Sequence, residues 1–249
     1  MQQSANTTQL IELRRYLLRP GQREALIELF DCEFVETQEA VGMAVLGQFR
    51  DPQRPDHFVW LRGFPDMATR HASLAAFYDG HVWAKHRDAA NATMIDSDDV
   101  LLLRPATAND QLPTHAPAKR GTHPARGPVA IVVDYVEDIN DDAVERFRSE
   151  VPPAFVHAGF RQLGLYTTTI EPNSFTRLPI RNDPAIVWIG ATDEAFDDLA
   201  AIPSHGHRRQ DRHLLIPTTR SNLDATSTGH AQASQEIHPI GNDEKARKK

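Results

Sequence analysis

Apolar and polar residues alternate along 10–18, in the sequence LIELRRYLL. A period of two is typical of a strand that buries one face, because successive side chains point to opposite sides of a sheet. Residues 22–40 follow the break at Pro20-Gly21 and carry leucine, phenylalanine and valine at helical spacing. This second pattern predicts an amphipathic helix.

The residues that follow predict two further strands, a second helical region and a closing strand. The predicted bounds are 45–50 and 58–63 for the two strands, 67–93 for the helical region, with a break near Asp79-Gly80, and 100–104 for the closing strand. The order β, α, β, β, α, β is that of a ferredoxin-like module.

The same order of elements returns in the second half of the chain. The expected elements are strands at 129–136, 162–168 and 213–216, a strand with Trp188 within 186–194, a helix at 141–158, a shortened helix at 193–201 and a long loop at 170–184. The segment FVWLRGFPD at 58–66 is echoed by IVWIGATDE at 186–194. Self-similarity of this kind predicts an internal tandem repeat.

Individual residues also correspond between the two copies. The matched pairs are Trp60 with Trp188, Tyr16 with Tyr135, Phe30 with Phe147, and Gly42 and Gly47 with Gly159 and Gly164. In this alignment Glu12 and Arg14 correspond to Ile131 and Val133. Any polar role of Glu12 and Arg14 is therefore expected in the first copy alone.

We expect an α+β protein whose two ferredoxin-like βαββαβ modules, at 10–105 and 129–220, form a single-chain pseudo-dimeric α/β barrel. A four-stranded sheet with helices on one face needs cover on the other, which a second copy supplies. The remaining segments are predicted as a flexible N-terminus at 1–9, a linker rich in proline and alanine at 106–128, and a polar, disordered tail at 221–249.

Composition narrows the classes of partner. The chain has 249 residues, of which 40% are hydrophobic and 24% charged, and this balance is typical of a folded globular protein. Its net charge of -7, with the basic residues scattered, argues against a nucleic-acid partner. Cys32 is the only cysteine, which excludes an intramolecular disulfide. With no apolar run of membrane-spanning length and no secretory pattern, we expect a cytoplasmic protein without a membrane partner.

Several of these segments together resemble the NIPSNAP family. They are IELRRYLLRPGQREALIELF, GMAVLGQF, FVWLRGFPDMATR, Trp83 in a late helix, and VLLLRP, and they cover 10–105. The resemblance implies a fold of the dimeric α/β-barrel group and, for a bacterial member, no assigned reaction. The family's E-x-R-x-Y strand is matched by Glu12, Arg14 and Tyr16, and its tryptophan by Trp60.

Six residues are candidates for one ligand-binding pocket: Glu12, Arg14, Tyr16, Trp60, Arg62 and Trp83. Alternation puts the first three on one strand face, and the next two share a face of another strand. An arginine could anchor a carboxylate or enolate, while aromatic side chains hold an aromatic or acyl body. The structural alternative is that Glu12 neutralises Arg14 or Arg62 across the interface between the copies.

Two residues are candidates for proton transfer, His86 and Tyr16. His86 lies three residues after Trp83, so both share a helix face, although a histidine in this setting can equally be a packed helix residue. The first functional hypothesis is a NIPSNAP protein of unassigned activity that binds a small molecule or a protein partner. The alternative is a cofactor-independent monooxygenase, isomerase or cyclase acting on an aromatic or polyketide-like substrate. A third hypothesis is an assembly module that binds no ligand.

Neither a metal nor a cofactor is predicted. Histidines 205, 207 and 213, with Asp211, have the residue types of a metal site, but three arginines in the same segment oppose a dication. The G-x-S-x-G, G-x-G-x-x-G, P-loop and H-E-x-x-H motifs are absent. The sequence leaves open the ligand, whether the chain is an enzyme, and whether pseudo-dimers pair further.

Overall fold

In the computed structural model, residues 8–113, 127–196, 199–202 and 209–227 are described. The first half begins with strand β1 (Leu10–Leu18) and a helical segment made of α1 (Arg23–Leu29), a π-helical turn (Phe30–Phe34) and α2 (Val35–Ala40). It continues with β2 (Ala44–Arg50), β3 (His57–Phe64), α3 (Met67–Tyr78), α4 (His81–Thr93), β4 (Met94–Asp96) and β5 (Val100–Pro105). The predicted break at Asp79-Gly80 separates α3 from α4, whereas β4 was not predicted.

The second half contains β6 (Val129–Tyr135), α5 (Asp141–His157), β7 (Arg161–Thr168), β8 (Ala185–Ala191) and β9 (Gln210–Pro217). The residues from 169 to 184 connect β7 to β8 and form the long loop that the sequence predicts; they are called the β7–β8 loop below. The shortened helix expected at 193–201 is wrong in the part described, which holds only a 3-10 turn at Leu199–Ala201.

Eight of these strands close into a barrel. Their order is β3-β2-β9-β6-β8-β7-β5-β1, and β1 pairs with β3 to complete the ring, while β4 extends one end of β1. The two halves meet at β2–β9, where Phe49 pairs with Pro217, and at β5–β7, where Leu103 pairs with Thr168. A single chain thus builds the α/β barrel, and no described strand of the ring is left with an unpaired edge.

Alternation along each strand divides the core into an inner and an outer part. Alternate side chains such as Ile11, Leu13, Ile131 and Val133 fill the barrel interior. The intervening positions face the helices and form two separate outer clusters, one in each half of the chain. The candidate site residues of β1 therefore lie between the barrel wall and the helices of the first half.

Two glycine pairs occupy the same places in both halves. Gly42 and Gly159 follow a helix with φ of 91° and 87°, values that favour glycine because a Cβ is strained there. Five residues later, β2 and β7 each carry a bulge that ends at Gly47 and Gly164. The sequence correspondence of these four glycines is therefore matched by their backbone roles.

The pairing of Tyr16 with Tyr135 is wrong by one residue. Trp60 lies opposite Arg14, whereas Trp188 lies opposite Val132, so the counterpart of Arg14 is Val132 and not Val133. A shift of one residue reverses the face of a strand. Tyr16 accordingly packs under the helices, while Tyr135 packs against the barrel interior.

Two predicted boundaries also need correction. Within the expected linker, Asp110 and Leu112 are buried, and the backbone N–H of Leu112 donates to the Tyr166 hydroxyl. Within the expected tail, Leu223 and Ala225 are buried against the barrel. The sequence missed both because short packed segments without periodicity look like loops. Residues 1–7, 114–126 and 228–249 lie outside the described part of the chain.

Within the described ranges, no helix combines the length and the apolar character needed to cross a bilayer.

Candidate functional site

The strand face formed by Glu12, Arg14 and Tyr16 carries a continuous hydrogen-bond chain. Arg14 donates through Nη1 to Glu12 Oε2 at 2.6 Å and through Nε to the Tyr16 hydroxyl at 2.8 Å. All three side chains are buried. Spacing of two along a strand brings them to one face, as the alternation predicts.

Two more arginines reach the same carboxylate. Arg62 lies opposite Glu12 in the β1–β3 register and donates through Nε to Oε2 at 2.8 Å. Arg70, on the buried face of α3, donates through Nε to Oε1 at 2.7 Å. Asp66 begins that helix by accepting a hydrogen bond from the Thr69 backbone N–H, which fixes the register that turns Arg70 inward. We call Glu12, Arg14, Arg62 and Arg70 the arginine cluster.

The arginine cluster contains more positive than negative charge. Burial alone would raise the pKa of Glu12, but the neighbouring guanidinium groups of Arg62, Arg14 and Arg70 outweigh it and hold that pKa far below its usual range. Glu12 is therefore ionised at any physiological pH. Burial lowers the pKa of Arg70, and Glu12 offsets that effect only in part. One carboxylate is thus shared by three cations.

Neutral acceptors surround the arginine cluster. Arg62 Nη1 donates to Gln38 Oε1 at 3.2 Å. Arg70 Nη1 donates to Asn173 Oδ1 at 3.0 Å and to Ser174 Oγ at 3.2 Å. The β7–β8 loop of the second half therefore supplies two hydrogen-bond acceptors to Arg70 in the first half.

A small cavity lies beside the cluster, between the barrel wall and the helices. Its lining is mostly aromatic and consists of Tyr16, Leu26, Phe30, Phe34, Gln38, Trp60, Phe77, Tyr78, Trp83 and Met94. The volume of about 30 Å³ is room for one water molecule. Tyr78, Trp83 and Met94 are only half-buried and form its outer end. Binding a larger molecule would require these three side chains to move.

Two polar groups lie among the aromatic side chains that line the cavity. Trp60 Nε1 is buried and has no hydrogen-bond partner. The Tyr16 hydroxyl accepts from Arg14, and burial raises the pKa of Tyr16 although Arg14 opposes the shift. The phenol is therefore neutral at physiological pH and keeps a proton to donate.

The β7–β8 loop covers the outer side of this aromatic cluster. Phe175 is buried and stacks on Tyr78 with ring centroids 6.0 Å apart and an interplanar angle of 27°. Arg177 forms an ion pair with Asp79 at the end of α3, and the Arg181 backbone N–H donates to the Val100 carbonyl at 2.8 Å. The loop is thus fastened to the first half at the end of α3 and at β5.

The structure brings five of the six predicted pocket residues into direct contact, and Trp83 lies at the outer end of the cavity. Only Tyr16, Trp60 and Trp83 line the cavity itself, whereas Glu12, Arg14 and Arg62 lie beside it. Glu12 pairs with Arg14 and Arg62, as the structural alternative expected. However, it does so under the helices of its own half and not across the interface between the halves. His86 lies 3.4 Å from Glu33 through Nε2 and is absent from the cavity lining.

Sequence reasoning missed Arg70 and Gln38. Arg70 stands in the same helical register as Leu74 and Phe77, so a cation on the apolar face of α3 was the available signal. Gln38 follows Phe34 by one turn on the buried side of its helix. Asn173 and Ser174 carried no signal, because their role depends on contact between distant segments.

The predicted absence of a metal site stays a prediction. Among the residues that the structure describes, no cluster of histidine, cysteine and carboxylate side chains suits a metal ion. His213 is buried and lies 3.1 Å from Asp51, while Asp211 pairs with Arg15. The candidates His205 and His207 lie outside the described residues.

Comparison with known proteins supports the fold and identifies a family model that matches the first half of the chain. A candidate monooxygenase from Fusobacterium nucleatum is 10% identical, with 90% of this chain and 98% of that protein covered and a TM-score of 0.51. One from Lactobacillus acidophilus is 13% identical, with 88% and 99% covered and a TM-score of 0.48. A NIPSNAP-like domain protein from Burkholderia xenovorans is 22% identical, with 44% and 95% covered and a TM-score of 0.39. No curated protein matches the chain.

The similarity to the Fusobacterium protein supports the α/β-barrel fold over both halves of the chain and says nothing of activity. The NIPSNAP family model matches residues 11–108, the segment that contains the arginine cluster and all ten residues of the cavity lining. The resemblance seen in the sequence is confirmed for this segment: residues 11–108 match the NIPSNAP family model.

Proposed function

We propose that this protein binds a small organic molecule with an aromatic or acyl body in the cavity between the barrel wall and the helices of residues 11–108. The lining supports this, because aromatic side chains bury large apolar surfaces and a few polar groups set orientation. Rearrangement of the half-buried Tyr78, Trp83 and Met94 would admit the molecule.

The observation that carries the proposal is the difference between two tryptophans. Trp188 Nε1 donates to Gln162 Oε1 at 3.0 Å, whereas Trp60 Nε1 is buried without a partner. In the strand register Val45 takes the place of Gln162. A buried N–H without an acceptor costs about 1–3 kcal/mol, so an acceptor on a bound molecule would offset a penalty that the other half avoids.

The second half offers no equivalent site. Its counterpart of Arg62 is Gly190, and a Cβ built there would lie 2.1 Å from the Trp188 ring. The Trp188 indole therefore fills the space that side chains of the cluster use in the first half. We include in the proposal that the chain contains two ferredoxin-like modules, of which the second is the diverged copy.

The test uses binding of 2-phenylethanol, 1-octanol, phenylacetate and octanoate, followed by tryptophan fluorescence and thermal shift. The proposal predicts that Leu26→Phe, which adds bulk to the cavity lining, weakens the binding of every probe that the wild type binds. Leu29→Phe, on the same helix but outside the lining, should leave binding unchanged. Equal binding by wild type and Leu26→Phe would contradict the site, as would insensitivity of every probe to Arg14→Ala.

A second candidate function is cofactor-independent proton transfer by Tyr16, in a monooxygenase, isomerase or cyclase. A neutral phenol held by Arg14 in an aromatic cavity favours it, because such a group can donate to a carbonyl or enolate oxygen. The candidate monooxygenases share only the fold with this chain. Turnover of a conjugated aromatic substrate that survives unchanged in Tyr16→Phe would remove this role.

A further inference from the structure

The arginine cluster holds more positive charge than its residues neutralise. Three guanidinium groups contact the single carboxylate of Glu12, and all four side chains are at most 2% exposed. The other hydrogen-bond acceptors of the three arginines are neutral: Gln38, Met43, Tyr16, Asn173 and Ser174. Burying a charge without a counter-charge is unfavourable, so the cluster as it stands is incomplete.

Unsatisfied donors lie in the same place. Arg70 Nη2 is buried and has no hydrogen-bond partner. Arg62 Nη2 lies 2.8 Å from Glu12 Oε2, yet it is not aligned for a hydrogen bond and is likewise unsatisfied. Guanidinium groups present paired N–H donors that match the two oxygens of a carboxylate.

The cluster and the cavity share walls. Gln38 lines the cavity and accepts from Arg62, and Tyr16 lines it and accepts from Arg14. The Trp60 ring also lines the cavity, and the guanidinium carbons of Arg14 and Arg62 lie 5.5 and 5.1 Å from its centroid. Lining side chains such as Gln38 and Tyr16 are therefore all that separates a molecule in the cavity from the guanidinium groups of the arginine cluster.

We propose that the ligand of this cavity is an organic carboxylate whose head group supplies the missing negative charge of the arginine cluster. The inference rests on the proposed function and names its ligand class. The carboxylate takes the place of the Gln38 amide oxygen at Arg62 and reaches the Nη2 donor of Arg70, which has no hydrogen-bond partner, while the aromatic or acyl body occupies the cavity. Neutral molecules of the same shape fill the cavity but leave the cations unpaired.

The experiment compares each acid with its amide, phenylacetate with phenylacetamide and octanoate with octanamide, by calorimetry and tryptophan fluorescence at pH 7.5. A charge-assisted contact predicts that each acid binds at least about tenfold more tightly than its amide. Arg70→Gln should abolish that difference while the amides still bind. Arg87→Gln, an exposed arginine outside the cluster, should preserve it.

A second measurement covers the case in which Arg70→Gln fails to fold. Phenylacetate labelled with carbon-13 at its carboxyl group should, when bound to the wild type, titrate at lower pH than the free acid. Equal affinity of acid and amide, or an unchanged or raised titration of the bound acid, would overturn the carboxylate while leaving the proposed cavity in place. Failure of every acid and amide to bind would contradict the proposed function itself.

Discussion

Glu12 on β1 and Arg70 on α3 are joined by a contact of 2.7 Å between Oε1 and Nε, and both side chains are fully buried. The two residues are 58 positions apart, so this ion pair fastens a helix to the barrel wall. Buried ion pairs stabilise a fold only when they are complete, because the loss of one partner leaves the other charge buried alone.

The first prediction concerns the carboxylate of Glu12. Glu12→Gln leaves three buried guanidinium groups without a counter-charge, so the free energy of unfolding should fall by about 3–5 kcal/mol. Urea denaturation measures it. The control is Glu24→Gln, which removes an exposed ion pair with Arg50 and should cost less than about 1 kcal/mol. Similar effects of the two variants would contradict the described role of Glu12.

The second prediction concerns pH. Asp31 has a buried Oδ1 without a hydrogen-bond partner, and burial raises the pKa of Asp31 to about 6. A carboxyl whose folded pKa is raised opposes folding when ionised, so the penalty is present above pH 6 and disappears as the pH falls towards 4. Because the group is partly exposed, we expect Asp31→Asn to stabilise the protein by only about 1 kcal/mol at pH 8.

At pH 4 the same substitution should have little effect, so the pH dependence of the gain is the result to measure. Asp88→Asn, at a side chain that is 93% exposed, should change the free energy of unfolding by less than about 0.5 kcal/mol at either pH. A gain in the free energy of unfolding for Asp31→Asn that is larger at pH 4 than at pH 8 would contradict the predicted direction of the pH dependence.

The third prediction concerns the β7–β8 loop. Phe175→Ala removes the buried ring that stacks on Tyr78, and a loss of about 3 kcal/mol in the free energy of unfolding is expected. Acrylamide should also quench Trp83 fluorescence more strongly, because the cover of the aromatic cluster is reduced. Arg177→Ala removes an exposed ion pair with Asp79 and an exposed contact with the Phe175 ring, leaves that ring in place, and should cost about 1 kcal/mol or less. Unchanged quenching of Trp83 in Phe175→Ala would contradict the claim that the β7–β8 loop covers the aromatic side chains of the cavity.

The fourth prediction concerns the turn at Gly42. With φ at 91°, alanine is strained there, and Gly42→Ala should cost about 1–2 kcal/mol. Gly42→Asn should cost less, since asparagine tolerates this backbone region better. Thermal unfolding of the two variants measures the difference, and a smaller loss for alanine than for asparagine would contradict the assigned conformation.

The sequence predicted the structure correctly where the period of the side chains along one element determines which face each residue occupies. Alternation in β1 was sufficient to place Glu12, Arg14 and Tyr16 on one face, and the correspondence of Gly42 with Gly159 is matched by the same backbone conformation at both positions. The pairing of Tyr16 with Tyr135 failed because β6 is buried on both faces, so its residues show no alternation of apolar and polar side chains that could fix the register.

Contacts between distant segments could not be predicted from the sequence. Arg70 reaches Glu12 only because α3 lies over β1, and Asn173 reaches Arg70 only because the β7–β8 loop crosses from the other half. Leu223 is buried in a segment whose polar composition predicts disorder. These contacts depend on tertiary packing, which neither periodicity nor composition encodes.

The central claim is that a carboxylate ligand completes the arginine cluster from the adjoining cavity. The most direct measurement is a crystal structure of the protein with bound phenylacetate. The ring should lie between Tyr16, Trp60 and Trp83, with the carboxylate in contact with Arg62 or Arg70. Density for the ligand only elsewhere, for example in the cleft of about 540 Å³ beside Tyr135 and Arg209, would contradict the claim.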